Sequence, residues 1–113
     1  DTPEETEMKV SKLLQTNPPD GIFAISDLTM SGVIKAIYSQ NLKFPEDISV
    51  IGFCEEPFRS MYHPPLNTIE PLGFEIGEKA TLLLFDRLLN NDLTVHPAKT
   101  VFLQSNLIEG GSV

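Results

Sequence analysis

Two short apolar runs on either side of one amphipathic segment constrain the fold of this chain more than any other feature. The runs span residues 21–25 and 48–53, a length typical of buried strands. Between them, apolar residues recur every three or four positions, as on one face of a helix: Met30, Val33, Ile34 and Ile37. Two strands joined by a single helix run parallel, with a right-handed crossover. The pattern therefore predicts an α/β fold with a parallel sheet, whose first strand is buried on both faces.

The remaining segments extend this α/β pattern. Residues 4–17 are predicted to be helical, because their apolar positions share one face and two prolines follow. The strongest helical pattern covers residues 74–90, where the apolar face is broad enough to need a large docking surface. Weaker patterns predict a helical turn over 58–62, strands over 66–69, 100–103 and 106–108, and a loop over 90–98.

Composition and charge argue against several classes of function. The 113 residues include 16 acidic and 8 basic side chains, and a formal net charge of −8 disfavours direct contact with nucleic-acid phosphates. No apolar run approaches the roughly 20 residues of a membrane span. One cysteine cannot form an intrachain disulfide, and two histidines without spaced partners, His63 and His96, predict no metal site. The first residue is Asp1 rather than Met, so we expect the chain to be part of a longer protein.

Polar residues follow both strands of the predicted strand-helix-strand unit. Ser26 and Asp27 come after the first strand, and Cys54 and Glu55 come after the second. The carboxyl ends of neighbouring parallel strands meet at one edge of a sheet, and ligands of open α/β folds bind there. The sequence therefore predicts a ligand pocket formed by these two polar clusters.

Other interpretations of the same residues remain open at this point. Asp27, or Ser26, suits the N-cap of the helix that follows, where a side-chain oxygen accepts an unpaired N–H. Glu55 and Glu56 have the composition of a general acid/base pair. Adjacent residues at a strand end usually point in different directions, however, and a solvated turn is the commoner outcome. We therefore expect a binding protein rather than an enzyme.

Several motifs resemble one known family in order and in spacing. Residues 19–53 read PDGIFAISDLTMSGVIKAIYSQNLKFPEDISVIGF, residues 64–69 read PPLNTI, residues 75–77 read EIG, and the chain ends in LIEGGSV. From about Asp20 to the end, this sequence resembles the lactose-repressor/galactose-repressor family of bacterial transcription regulators.

The resemblance implies a type I periplasmic-binding-protein-like fold, in which two α/β subdomains close on a small effector, often a sugar or a nucleobase. It also implies a homodimer, with a helix-turn-helix headpiece, absent from this chain, that binds operator DNA. The chain would then supply the C-terminal third of such a protein. Residues 1–69 would belong to the second subdomain, 70–102 would return into the first, and 103–113 would hold the last strand of the second.

The resemblance also assigns expected roles to individual residues. Effector-contacting positions of the family fall on Ser26, Cys54 and Pro71, where the family often has Asn, Asp and Gln. Asp27 and Glu55 are therefore expected to supply polarity that Cys54 and Pro71 do not. Glu70 and Pro71 lie where the family chain crosses between subdomains, as a hinge would. The dimer interface is expected to include Ser31, Ile34, Tyr38, Phe58 and Tyr62.

Together, these features predict the effector-binding and dimerisation part of a cytoplasmic transcription regulator that needs no cofactor, no metal and no membrane. Its effector is expected to be a sugar or a related metabolite. The alternative with the same fold is a periplasmic sugar-binding protein of a transport system. The residues that precede Asp1 would distinguish the two, because a headpiece and a signal peptide differ in sequence.

Overall fold

The computed structural model describes residues 2–89 and 99–113 as four helices and four strands. The helices are α1 (Pro3–Thr16), α2 (Asp27–Ser39), α3 (Phe58–Met61) and α4 (Gly73–Leu89), and the strands are β1 (Gly21–Ala24), β2 (Ser49–Phe53), β3 (Asn67–Glu70) and β4 (Asn106–Ile108). Each of these elements was predicted within one or two residues. The predicted loop over 90–98 lies outside the described residues.

The strands form one sheet in the order β1-β2-β3-β4. Strands β1, β2 and β3 are parallel neighbours, and β4 pairs antiparallel with β3. The pairing of Ala24 with Gly52 aligns the ends of β1 and β2. The prediction of an α/β fold with a parallel strand-helix-strand unit is therefore confirmed.

Helix α1 begins with a reciprocal cap that the sequence analysis did not identify. The backbone N–H of Glu5 donates to Thr2 Oγ1 over 3.2 Å, and the N–H of Thr2 donates to a carboxylate oxygen of Glu5 over 3.1 Å. Pro3 occupies the first helical position, where its missing N–H costs nothing. The signal was present as Thr-Pro-Glu-Glu, a capping box with proline inside it.

One hydrophobic core joins α1 and α2 to the sheet. Helix α1 approaches α2 closely at Gly32, where an added Cβ would lie 2.5 Å from the carbonyl oxygen of Pro3 and 2.7 Å from Cβ of Thr6. Only glycine allows this approach. The buried apolar residues of the core are Leu14, Ala24, Met30, Val33, Ile34, Ala36, Ile37, Phe44, Ile48, Val50, Cys54 and Leu66.

The prediction that β1 is buried on both faces is wrong. Ala24 is 3% exposed, whereas Phe23 is 52% exposed and Ile25, just beyond the strand, is 71% exposed. Strand β1 is an edge strand, and burial in β2 also alternates, with Val50 and Gly52 buried and their neighbours partly exposed. Within the described residues, the core therefore covers only one face of these two strands.

The described chain divides into two units. One unit runs up to Pro71 and includes Asn106–Val113, and the other is Leu72–Ser105. These divisions lie two or three residues beyond the boundaries expected from the family resemblance, after residues 69 and 102. The predicted strand over 100–103 is wrong, because no described strand pairs with these residues and the edge of β3 is taken by β4.

Helix α4 keeps its apolar face exposed within the described residues of the second unit. It has no buried residue, and Ile76 and Leu84 are 51% and 57% exposed. The segment 101–103 lies near this face, where it lines a cavity with Ile76, Ala80 and Leu83. The broad apolar face predicted for this helix is therefore present.

The C-terminal residues tie β2 to β3 through a single serine. Ser112 is fully buried. Its hydroxyl donates to the carbonyl oxygen of Val50 over 2.6 Å and accepts from the N–H of Asn67 over 2.7 Å. Its backbone N–H donates to Asn67 Oδ1 over 2.9 Å, and its carbonyl oxygen accepts from the N–H of Val50 over 2.7 Å. Every polar group of this residue is thus used to join the two strands.

Replacing Ser112 by alanine is expected to lower the free energy of unfolding by about 2–3 kcal/mol. The change removes the hydroxyl and leaves the Val50 carbonyl and the Asn67 N–H without partners in a buried site. Urea denaturation of Ser112→Ala would measure the loss. The matched control is Ser105→Ala, at an exposed serine, which is expected to change stability by less than about 0.5 kcal/mol. Equal stability of the two variants would contradict the structural role of Ser112.

Candidate functional site

A cavity of about 350 Å³ opens at the carboxyl edge of the sheet. This volume lies within the usual range for small-molecule pockets. All the lining residues belong to the first unit: Ile25, Ser26, Asp27, Phe53, Cys54 and Pro71. The pairing of Ala24 with Gly52 explains the geometry, because Ser26 and Cys54 each lie two residues beyond this pair.

Four of the five predicted ligand-binding residues meet at this cavity, namely Ser26, Asp27, Cys54 and Pro71. Glu55 is exposed and does not line it. Ile25 and Phe53 also line the cavity and were not predicted as ligand-binding residues. Their position in the sequence could have indicated this, because Ile25 immediately precedes Ser26 and Phe53 immediately precedes Cys54 at the strand ends. Consecutive side chains of a strand point to opposite faces of the sheet, so each of the two lies on the face opposite to its polar neighbour.

Ser26, not Asp27, is the N-cap of α2. Its hydroxyl accepts from the N–H of Thr29 over 3.3 Å, and its own N–H donates to Thr29 Oγ1 over 3.0 Å. The Ser26 hydroxyl is thus largely used within the helix start. Asp27 is the first helical residue, where the helix dipole favours its negative charge. Its exposed carboxylate is therefore free of the capping role and faces the cavity.

Cys54 lines the cavity with a buried, neutral thiol. The side chain is 3% exposed. Burial raises the pKa of this thiol to about 12, with further contributions from a hydrogen bond to Asp27, the charge of Asp27 and the charge of Glu56. A thiolate is the nucleophilic form of cysteine, and it does not form here near neutral pH. Cys54 is therefore a weak hydrogen-bond donor in the cavity wall.

The two glutamates that follow Cys54 do not form a paired acid/base site. Glu56 is committed to α3, because its carboxylate accepts from the hydroxyl of Ser60 over 2.8 Å and lies 3.2 Å from Nε of Arg59. The carbonyl oxygen of Glu55 accepts from the N–H of Arg59 over 3.1 Å. This turn therefore anchors a short helix beside the cavity, and the solvated-turn interpretation describes it better.

The residues expected at a dimer interface separate into exposed and buried groups. Tyr38 and Phe58 are 48% and 52% exposed, and Ser31 and Tyr62 are partly exposed. Ile34 is 2% exposed and lies in the core, because it belongs to the face of α2 that meets the sheet. Its side chain cannot contact a partner, so its expected interface role is corrected.

Burial, followed by the charges of Cys54, Tyr38 and Asp27, raises the pKa of Tyr62, the C-cap residue of α3. Met61 is 71% exposed on that helix. Sequence analysis did not single out Met61, because one apolar residue in a four-residue helix gives no periodic signal.

The segment expected to be a hinge lies at the division between the two units. Glu70 ends β3, and its carboxylate accepts from the side-chain amide of Asn106 over 3.3 Å. Pro71 is the last residue of the first unit on this crossing. Leu72 follows with φ of 51°, in the left-handed region that non-glycine residues rarely adopt.

Within residues 2–89 and 99–113, no three His, Cys, Asp or Glu side chains are grouped so that they could hold a metal ion. None of the helices in the same ranges has the length and hydropathy needed to cross a bilayer.

The periplasmic binding protein-like domain family matches residues 1–113 of this chain. The chain is 32% identical over 94 residues to the ribose operon repressor of Halalkalibacterium halodurans, covering 82% of this chain and 28% of that protein. It is 41% identical over 71 residues to the HTH-type transcriptional repressor CytR of Escherichia coli K12, covering 63% and 21%. The chain thus spans less than a third of these curated relatives.

Solved structures give the same result. A LacI family transcriptional regulator from Enterococcus faecalis V583 with bound ribose superposes with a TM-score of 0.83 at 29% identity, covering 98% of this chain and 40% of that one. A LacI family regulator from Arthrobacter sp. FB24 in complex with lactose gives 0.79 at 30% identity, covering 99% and 41%. The chain belongs to the lactose-repressor/galactose-repressor (LacI) family and contains the C-terminal part of its periplasmic-binding-like domain.

The raised pKa of Cys54 predicts a loss of stability at alkaline pH. The folded thiol keeps its proton up to about pH 12, whereas an unfolded thiol loses it above roughly pH 8.5. The unfolded chain therefore binds fewer protons over this range, and the free energy of unfolding falls as pH rises. Between pH 7 and pH 10, this group is expected to remove about 1.5–2 kcal/mol.

Urea denaturation at several pH values, with Cys54→Ala as the control, would measure this loss. The variant lacks the thiol but keeps Tyr62, whose raised pKa acts in the same direction above pH 10. The two pH profiles are expected to diverge between pH 8 and pH 10. Parallel profiles would mean that the native thiol titrates normally.

Proposed function

We propose that this chain is the effector-binding and dimerisation part of a bacterial transcription regulator. The observation that carries the proposal is the cavity formed by Ser26, Asp27, Cys54 and Pro71 at the carboxyl ends of two parallel strands, in a chain of the LacI family. Relatives named as repressors support this function over that of an exported sugar-binding protein of a transport system. Neither Cys54 nor the two following glutamates offers an enzymatic nucleophile or acid/base pair.

The proposed effector is a sugar or a related small metabolite. Two solved relatives hold ribose and lactose. In this chain, Phe53 and Pro71 provide an apolar surface against which the C–H face of a sugar ring can pack, and Asp27 provides an acceptor for a hydroxyl. The mixture of one apolar wall and few polar groups is typical of pockets that orient a small ligand.

Regulation is proposed to follow from linkage between effector binding and DNA binding. An effector that binds one closure state more tightly than the other shifts the population towards the state that it prefers. The size of the shift is limited by the difference between its binding free energies for the two states. Glu70 and Pro71 are the proposed hinge, supported by the unusual backbone of Leu72 at the same crossing. Operator DNA is bound, in this proposal, by a headpiece outside the 113 residues, and the protein is cytoplasmic because its operator is.

Homodimerisation is proposed through the exposed residues of α2 and α3. Phe58 and Met61 are exposed on a four-residue helix that Glu56 anchors through Arg59 and Ser60. Large aromatic and methionine side chains are enriched in the buried centres of interfaces. Ser31, Tyr38 and Tyr62 extend the proposed surface.

A sugar is expected to bind the complete product of the gene that encodes this chain and to change its affinity for operator DNA. Ribose, lactose and other neutral sugars would be screened by calorimetry, and operator DNA would be selected from a random pool. Phe53→Ala is expected to weaken sugar binding about tenfold, because it removes the aromatic wall. Met8→Ala is the control, since Met8 is 69% exposed on α1 and does not line the cavity. Equal losses in both variants, or a bound sugar without effect on DNA affinity, would contradict the proposal.

The double variant Phe58→Ala/Met61→Ala is expected to raise the dimer dissociation constant of the same gene product at least tenfold. Truncation removes two large apolar side chains from the proposed contact. Sedimentation equilibrium would measure the constant. Met8→Ala, at a methionine 69% exposed on α1, is the control and should leave the dimer unchanged. A dimer equally stable in the double variant would place the interface elsewhere.

A further inference from the structure

The charge of the cavity wall comes from one side chain. Among the six lining residues, Asp27 alone carries a charged group, and none of them is Lys or Arg. The hydroxyl of Ser26 is engaged with Thr29, and the thiol of Cys54 lies 3.7 Å from the carbonyl oxygen of Glu55. Ile25, Phe53 and Pro71 contribute only apolar side-chain surface. The main polar group offered to a ligand is therefore a hydrogen-bond acceptor with a negative charge.

Among the described residues, Arg59 is the cation whose charge acts on the Cys54 thiol of this wall, and it is largely committed to other partners. Arg59 lies on the turn that follows the cavity, but its guanidinium pairs with Glu56 over 3.2 Å and donates to the carbonyl oxygen of Leu66 over 3.5 Å. The charges of Asp27, Glu56 and Arg59 all act on the Cys54 thiol, and the contributions of the two carboxylates are larger than that of the guanidinium. The net charge of −8 adds to the same negative potential.

The start of α2 does not provide an anion site either. A helix N-terminus commonly binds phosphate through free N–H groups. Here the N–H of Thr29 donates to Ser26 Oγ, and the N–H of Met30 donates to the carbonyl oxygen of Ser26. Asp27 already places a carboxylate in the first turn. A phosphate at this edge would therefore meet a like charge at a helix start that is already capped.

We propose that Asp27 makes this wall a charge filter: it accepts effectors that present a neutral or cationic hydrogen-bond donor beside an apolar surface, and it rejects their phosphate esters and carboxylic acids. The inference rests on the proposed function, because it specifies the ligand class of the same cavity. Asp27 is thus a specificity-determining residue, while Phe53 and Pro71 hold the apolar part of the ligand. Free sugars and amino sugars meet this requirement, and sugar phosphates do not.

The filter can be tested without knowing the effector, by using Ile25→Cys in a Cys54→Ala background as a reporter in the complete gene product, with Asp27 intact or with Asp27→Asn. Residue 25 lines the same wall and is 71% exposed. Two thiol reagents of opposite charge would be compared: 2-aminoethyl methanethiosulfonate, a cation, and 2-sulfonatoethyl methanethiosulfonate, an anion. In both reactions the thiolate attacks the reagent sulfur, a mixed disulfide forms and methanesulfinate leaves. Each rate constant would be divided by the rate constant of the same reagent with a free thiol in solution. In the ratio of the two normalised values the thiolate fraction cancels, so the ratio reports the electrostatic potential at the cysteine. Mass spectrometry would assign the modification to the reporter position.

The normalised cation-to-anion ratio is expected to exceed about tenfold with Asp27 intact and to fall several-fold in Asp27→Asn. Asp20→Asn is the matched control, since Asp20 is exposed at the opposite end of β1, and it should keep the higher ratio. A ratio near one, or a ratio unchanged in Asp27→Asn, would overturn the inference. The same measurement on the native Cys54 thiol, which is 3% exposed, provides a second and slower reporter.

Binding of ribose, ribose 5-phosphate, glucose, glucose 6-phosphate and glucosamine to the wild type and to Asp27→Asn separates this inference from the proposed function. A free sugar is expected to bind roughly 100-fold more tightly than its phosphate ester, and Asp27→Asn should narrow this gap. A phosphate ester that binds as tightly as the free sugar would overturn the filter and leave the proposed function intact. A charge-selective reagent ratio without binding of any sugar would support the filter and count against a sugar effector.

Discussion

The close parallel approach of Ala24 and Gly52 is the constraint on which the candidate site depends. A Cβ at position 52 would collide with the carbonyl oxygen of Ala24, so glycine is required for this pairing. The pair sets the two strands in register and ends them at the same level. Ser26 and Cys54, each two residues further on, are then brought to one cavity. The close backbone contact between Ala24 and Gly52 thus determines which side chains can contact a ligand.

The one-sided core explains the mixed character of the cavity. Cys54 belongs to the covered side of the sheet and is counted within the hydrophobic core. Phe53 and Ile25 belong to the open side, where Phe53 contacts Phe23 edge to face with ring centroids 6.0 Å apart. Because successive side chains of a strand point to opposite faces of the sheet, one of two consecutive residues at its end is buried and the other is partly exposed. The cavity therefore combines a buried neutral thiol with partly exposed apolar side chains, and neither environment alone would give this lining.

Local periodicity predicted most of the fold, and features that depend on distant partners were missed. The helices and the strand-helix-strand unit follow from spacing alone, and so does the meeting of Ser26 with Cys54. Burial of β1 was misjudged because an apolar run does not reveal whether a second layer covers it. The role of Ser112 could not be seen, since its partner Val50 is 62 residues away and a lone serine has no pattern. Asp27 was separable from the N-cap role only once hydrogen bonds defined the first turn of α2.

Asp27 and Cys54 lie on one wall of the cavity, and the carboxylate does not activate the thiol as a nucleophile. The carboxylate is exposed at the start of a helix, where hydration and the dipole both favour its charge. The thiol is buried beside it, and both burial and the neighbouring charge favour the protonated form. The nearby carboxylate favours the protonated thiol, and the neutral thiol adds no second negative charge to the wall. The wall can then carry one defined charge, which is what discrimination between neutral and anionic ligands requires.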